Sequence, residues 1–317
     1  MSSIGIRLRA PGARLRARGL VWLVARQHRA ALWAGLAVVV AIAAYIVWQR
    51  VEMVGYGRAH NVDAYRTPLL NTGRLLIALP VVIGVFIGAP LFARELETGT
   101  HQLVWTQSVG RTRWLIAKLA VPLVAITAGT AVLAALYTWW WRAARGSFQD
   151  IAWGTAVPFD ATGPAAVALA PLSFLLGAAA GLLLRRTLPA MAVTLGATAG
   201  VQYGLDALRP HLMTPRTIAS KLSAEVPPEV YFGAWRGMGN GYLTRAGEKI
   251  SWERCSSAGS SDAWDRCFAR LGANRWYEEL HPASHYWPMQ WMQTGICLAA
   301  AVVPAALCVW WIGRRRA

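Results

Sequence analysis

The stretch Ala93–Lys118 reads ARELETGTHQLVWTQSVGRTRWLIAK, and its reading decides the fold. It is polar and charged, and a long apolar run lies on each side. A bare connection between two membrane spans needs only a few residues, so a loop this rich in charge is a working part. Arg94, Arg111, Arg113 and Lys118 place it on the cytoplasmic side, because basic residues close to spans are retained there. Glu95 and Glu97 precede a short helix predicted from about Thr100 to Gln107. Carboxylates suit a helix start, where unpaired N–H groups carry partial positive charge. Gly99 permits a sharp turn before it. Ser108 suits the cap of the next helix, which takes Arg111, Trp114 and Lys118 towards the membrane.

Composition widens this reading to the whole chain. Of 317 residues, 56% are hydrophobic and only 15% charged, with a mean hydropathy of +0.35. That is the profile of a polytopic membrane protein. The net charge of +17 invites a nucleic-acid reading. The arginines, however, flank apolar runs or lie in the N-terminal tail, so orientation and anionic lipid account for them. The expected partner is the bilayer, with no nucleic acid.

Outward from the loop, the pattern predicts six spans, in an all-α membrane protein. They run over about Ala30–Trp48, Leu75–Ala93, Arg113–Trp141, Pro164–Leu184, Pro189–Leu208 and Met289–Ile312. Pro80 and Pro90 are expected to kink the second. Residues 1–29 carry seven arginines and no acid, and read as a basic amphipathic helix on the inner membrane face or as a disordered basic tail. Residues 30–208 hold five spans with the loop 94–113, residues 209–288 an outer insertion, and residues 289–317 the last span and a basic C-terminus. The inner segments hold sixteen Lys and Arg against six in the two short outer loops, which puts both termini in the cytoplasm of a multi-pass plasma-membrane protein.

The fifth span carries two ridges of period four. Thr194, Thr198, Gln202 and Asp206 form a polar one, and Gly196, Gly200 and Gly204 lie opposite. Glycines let a second helix approach closely, so the expectation is a packed glycine side and a polar side lining a cargo path or subunit seam. Plain self-satisfaction of the threonines is the alternative. The pairs Gly84/Gly88 and Gly177/Gly181 read as ordinary packing. In the insertion, Pro227-Pro228 and the glycines from Gly237 to Gly241 are breakers, and short helices and loops forming a lid are expected. An oxidising exterior permits a Cys255–Cys267 bridge; two reduced, buried thiols are the alternative.

No G-x-x-x-x-G-K-[ST] loop is present, so the chain does not bind ATP in the P-loop manner. No nucleophile–base pair sits at membrane depth, and no metal is expected, including at His281 and His285, where Pro282 intervenes. Asp206 would serve a proton-coupled carrier.

The loop resembles that of type-2 ABC exporter permease subunits at Glu95, Glu97, Gly99, Thr100, Leu103, Ser108, Arg111 and Lys118. Trp105, Thr106, Gln107 and Trp114, with Pro282-Ala-Ser before Trp287-Pro288, look like its actinobacterial branch. Gln107 stands where that family usually has Pro. The resemblance implies a non-catalytic transport subunit that works as a dimer, moving apolar or amphiphilic cargo, on a pair of cytoplasmic ATPase subunits carrying ATP and Mg. Under it, Glu95 and Glu97 hold the shape of the coupling loop or meet basic groups of the ATPase, Gly99, Thr100 and Arg111 belong to the same loop, and Leu103, Val104 and Trp105 make an apolar contact with the ATPase or rest on lipid. It also implies outward movement of a drug, antibiotic or lipid-like molecule by a homodimer. A non-transporting sensor or immunity module is the other expectation.

Overall fold

A computed structural model describes residues 26, 29–57, 62–98, 111–145, 151–221 and 234–314. The N-terminal amphipathic helix lies outside them, as do Gly99, Thr100, Leu103, Val104, Trp105 and Ser108. The elements in order are α1 (Arg29–Glu52), α2 (Arg66–Ile83), a π segment (Gly84–Gly88), α3 (Ala89–Glu97), α4 (Arg111–Ala144), α5 (Ala156–Ala161), α6 (Gly163–Leu184) and α7 (Thr187–Leu208). After α7 come β1 (Arg216–Lys221), β2 (Trp235–Thr244), β3 (Lys249–Ser251), α8 (Ser261–Arg270), β4 (Ala273–His281) and α9 (Tyr286–Arg314).

Five described helical runs are long and apolar enough to cross a membrane: Arg29–Gly55, Asp63–Glu97, Leu115–Ala144, Gly163–Leu184 and Ala283–Trp311. The chain is therefore a polytopic membrane protein. The 22 residues of α7 reach about 33 Å at ~1.5 Å per residue, but its polar ridge makes it less apolar than the five. The second span is longer than its hydropathy suggested, since α2, the π segment and α3 form one run.

The bundle is built around α6. Its sequence is apolar all round, the mark of a helix with no solvent face. It packs against α2, α3, α4, α7 and α9. By contrast, α1 rests on α4 and leaves Trp33, Val40 and Trp48 exposed, as expected of a lipid-facing helix.

Glycine placement overturns an expectation. A Cβ on Gly177 would lie 2.3 Å from the Gly84 carbonyl oxygen, and one on Gly88 would lie 2.5 Å from that of Phe174. The second span and α6 thus cross backbone to backbone at the π segment. Gly196, Gly200 and Gly204 meet nothing within 4 Å, whereas Thr194 and Thr198 are fully buried. The two ridges of α7 are reversed within the chain: the polar one is packed and the glycine one is open. Threonine is small enough to pack, and Thr194 donates its hydroxyl to the Ala190 carbonyl, which removes the cost of burying it.

The insertion is the second correction. Besides short helices such as α8, it holds a four-stranded antiparallel sheet of order β1-β4-β2-β3, so the chain is not all-α. The glycines of β2 read as breakers, yet Gly241 is where the Ile250 carbonyl approaches too closely for any Cβ. The pairing of Arg216 with Leu280 joins residues far apart in sequence, so no local pattern announces it. Cys255 and Cys267 are disulfide-bonded, tying the turn after β3 to α8.

Candidate functional site

The helices have two ends, one carrying the charged loop and one carrying the sheet. At the loop end, the last turn of α3 carries both carboxylates, Glu95 and Glu97. Glu95 forms an ion pair with Lys118 of α4, whose side chain is 2% exposed. The Lys118 ammonium also lies 5.0 Å from the centre of the Phe92 ring. Such a cation is stable at a buried position only because a carboxylate and an aromatic face replace its water.

Glu97 does something else. Its Oε2 accepts hydrogen bonds from the Thr187 backbone N–H at 3.1 Å and from the Thr187 hydroxyl at 2.7 Å. The first turn of α7 is not capped by its own N-cap residue, Arg186. A carboxylate from another helix takes that place, with the charge sign a helix N-terminus favours. The turn that presents Thr187 is tight because Arg185 adopts φ 55° and its N–H bonds the Gly181 carbonyl at 3.1 Å. Glu95 and Glu97 therefore hold two different helices, which their spacing in the sequence did not reveal. Arg111 opens α4.

The polar ridge of α7 is not an open channel wall within one chain. Gln202 donates to the Ile77 carbonyl of α2 at 2.8 Å. Asp206 is exposed at the sheet end and pairs with Arg209 at 3.1 Å. The hydroxyls of Thr198 and Ser173 are buried without a hydrogen-bond partner among the described residues. An apolar slot lined by Leu76, Pro80, Leu133 and Ala166 has a volume of about 20 Å³, room for about one water.

At the sheet end, Arg209 is the hub that sequence reasoning missed. It is 2% exposed, meets Asp160 at 2.6 Å and stacks 4.6 Å from the Phe159 ring centre. Gln290 of α9 donates to the Phe159 carbonyl at 2.8 Å and accepts from the Ala165 N–H at 3.1 Å. Tyr286 donates to the Thr162 hydroxyl at 3.0 Å. His281, at the end of β4, stacks on Trp235, with its Nδ1 3.1 Å from that of His285 and its Nε2 3.3 Å from the Pro210 carbonyl. Burial, foremost, and the neighbouring His285 hold the His281 imidazole below its ordinary range, against the pull of the Pro210 carbonyl. Among the described residues, no group of three or more His, Cys, Asp or Glu is arranged to hold a metal.

A family model described as ABC-2 membrane transporter related matches residues 36–209, more than half of the 317. The chain belongs to this family. No curated protein and no solved structure matches it. Membership makes the permease a membrane-spanning transport subunit that is not catalytic by itself, and it implies partnership with an ABC ATPase. The match stops at Arg209, where the permease leaves α7 for the sheet.

Proposed function

We propose that the permease is the membrane half of an ATP-driven exporter, working as two identical six-span copies above two cytoplasmic ATPase subunits. ATP and Mg sit on those subunits. Both termini and the charged loop face the cytoplasm, as the distribution of arginines favours. The observation that carries the reading is the double grip of α3, by Glu95 on Lys118 of α4 and by Glu97 on Thr187 of α7. A push on residues 99–110 reaches both arms of the loop and the start of α7 together. Leu103, Val104 and Trp105 supply the apolar contact to the ATPase, and Gly99, Thr100 and Arg111 shape the loop. The cargo is an apolar or amphiphilic small molecule. The path follows a seam between copies, where the open face of Gly196, Gly200 and Gly204 allows close approach.

The test is co-purification with an ATPase, followed by cargo-stimulated ATP hydrolysis and transport in vesicles. In Glu97→Gln combined with Thr187→Val, ATPase binding is retained while hydrolysis loses its response to cargo. Full transport by that variant would remove the relay; failure of any ATPase to co-purify would remove the exporter. A non-transporting sensor would bind an ATPase and move nothing. A proton-coupled carrier would work without any ATPase and would fail on Asp206→Asn; the Asp206 side chain is exposed and paired with Arg209.

A further inference from the structure

The sheet insertion carries a recess that the exporter reading does not use. It lies on the far side of β2 and β3, where Tyr242, Trp252 and Trp264 line an open cleft of about 440 Å³ with Asp265, Ser260 and Ser261. The rings touch one another, with Tyr242 and Trp252 centres 5.1 Å apart and those of Trp252 and Trp264 5.2 Å apart, so they form one continuous wall. Phe268 backs the wall from the core, 4.2 Å from Tyr242. The Trp264 indole N–H is already spent on the Ala258 carbonyl at 2.9 Å, which fixes the ring in the wall. The Cys255–Cys267 bridge locks the turn bearing Trp252 to the helix bearing Trp264 and Asp265.

A cluster built only to fill a small core would close over its rings. Here Trp252 remains 37% exposed. Charge then selects the ligand. Among the described residues, no Lys or Arg lines the cleft, and Asp265 is its one charged wall. The Tyr242 phenol is held above its ordinary range by burial and then by the Asp265 charge, which places that charge beside the aromatic wall. Aromatic faces with one carboxylate are what a desolvated organic cation needs: the ring quadrupoles attract it and the carboxylate neutralises it. A phosphate or an acidic peptide would be repelled.

We propose that this cleft binds a methylated ammonium group, either on a soluble cation or on a choline lipid headgroup. The test uses the full-length permease in nanodiscs of phosphatidylglycerol and phosphatidylethanolamine, with radiolabelled choline as the probe. Saturable binding is expected, with the uncharged carbon analogue of choline competing at least about tenfold less well. Asp265→Asn and Trp252→Leu each weaken choline binding by about tenfold, while Trp252→Tyr keeps most of it. Asp265 is an exposed side chain, so Asp265→Asn tests the site without threatening the fold. Absence of saturable binding, equal competition by the uncharged analogue, or indifference to Asp265→Asn would overturn the proposal. Repeating the measurement with phosphatidylcholine in the nanodiscs assigns the source: loss of choline binding points to the headgroup, unchanged binding to a soluble cation.

Discussion

At the sheet end, α5, α6, α9 and the turn after α7 are joined by Asp160, Arg209, Gln290, Tyr286 and Thr162 in a mesh of charge-assisted and neutral hydrogen bonds. At the loop end, among the described residues, the Glu95–Lys118 ion pair joins α3 to α4 and the Glu97 carboxylate caps α7. The difference is one of layout. The mesh ties several elements to one another through buried charge and neutral hydrogen bonds, whereas both of these loop-end contacts start from one helix, two residues apart. They add to the apolar packing of Ala89 and Ala93 against Ala180 and Ala190. A displacement of α3 therefore reaches α4 and α7 together.

Four measurements test this contrast. The largest effect is expected at the hub. Arg209→Ala strips the half-buried Asp160 carboxylate of its partner and should destabilise the protein by about 3 kcal/mol, read as a lower midpoint of thermal unfolding in detergent by tryptophan fluorescence. Next comes the helix crossing. Gly177→Ala forces α6 away from the π segment and should cost about 2 kcal/mol, whereas Gly200→Ala, which meets no atom, should be neutral or slightly stabilising in the single chain. An equal response at both positions would refute the reversed packing of α7. Third, Lys118→Met should cost about 1 kcal/mol, because Glu95 is partly exposed and keeps some solvent. Its effect on coupling should exceed its effect on stability, which a comparison of cargo-stimulated and basal hydrolysis would read. The smallest effect is one of pH. A histidine whose folded value is depressed leaves the unfolded chain binding more protons, so its stabilisation is present above about pH 6.5 and is lost as pH falls. His281→Gln should flatten that decline, measured as the unfolding midpoint between pH 7.5 and pH 5 (about that range).

Much of this architecture was legible in the residues. Hydropathy marks the spans, and Arg185-Arg186 followed by Pro189 marks the tight turn that brings α6 and α7 together. The period-four ridges of α7 were legible too, but their sides were not. A ridge records which residues share a face, whereas its partner is set by tertiary packing. The informative glycines were the two pairs, Gly84/Gly88 and Gly177/Gly181, each short and unremarkable alone and meaningful only because they meet. The sheet was hidden for a similar reason. Its strands pair Arg216 with Leu280 and Tyr242 with Trp276, contacts that no window of neighbouring residues contains. Glu97 could have been flagged as a capping group, yet its partner Thr187 lies 90 residues away.

The π segment between α2 and α3 has a consequence of phase. A π turn holds one residue more than the α turn it replaces, so everything beyond it is set back by about 100° around the axis relative to an unbroken α-helix of the same sequence. The orientation of Glu95 and Glu97 is therefore set by a residue count some ten positions upstream. Closing Gly84–Gly88 into α turns with no residue lost would preserve a continuous rod, yet swing both carboxylates off their mates; deleting one residue there at the same time would bring them back.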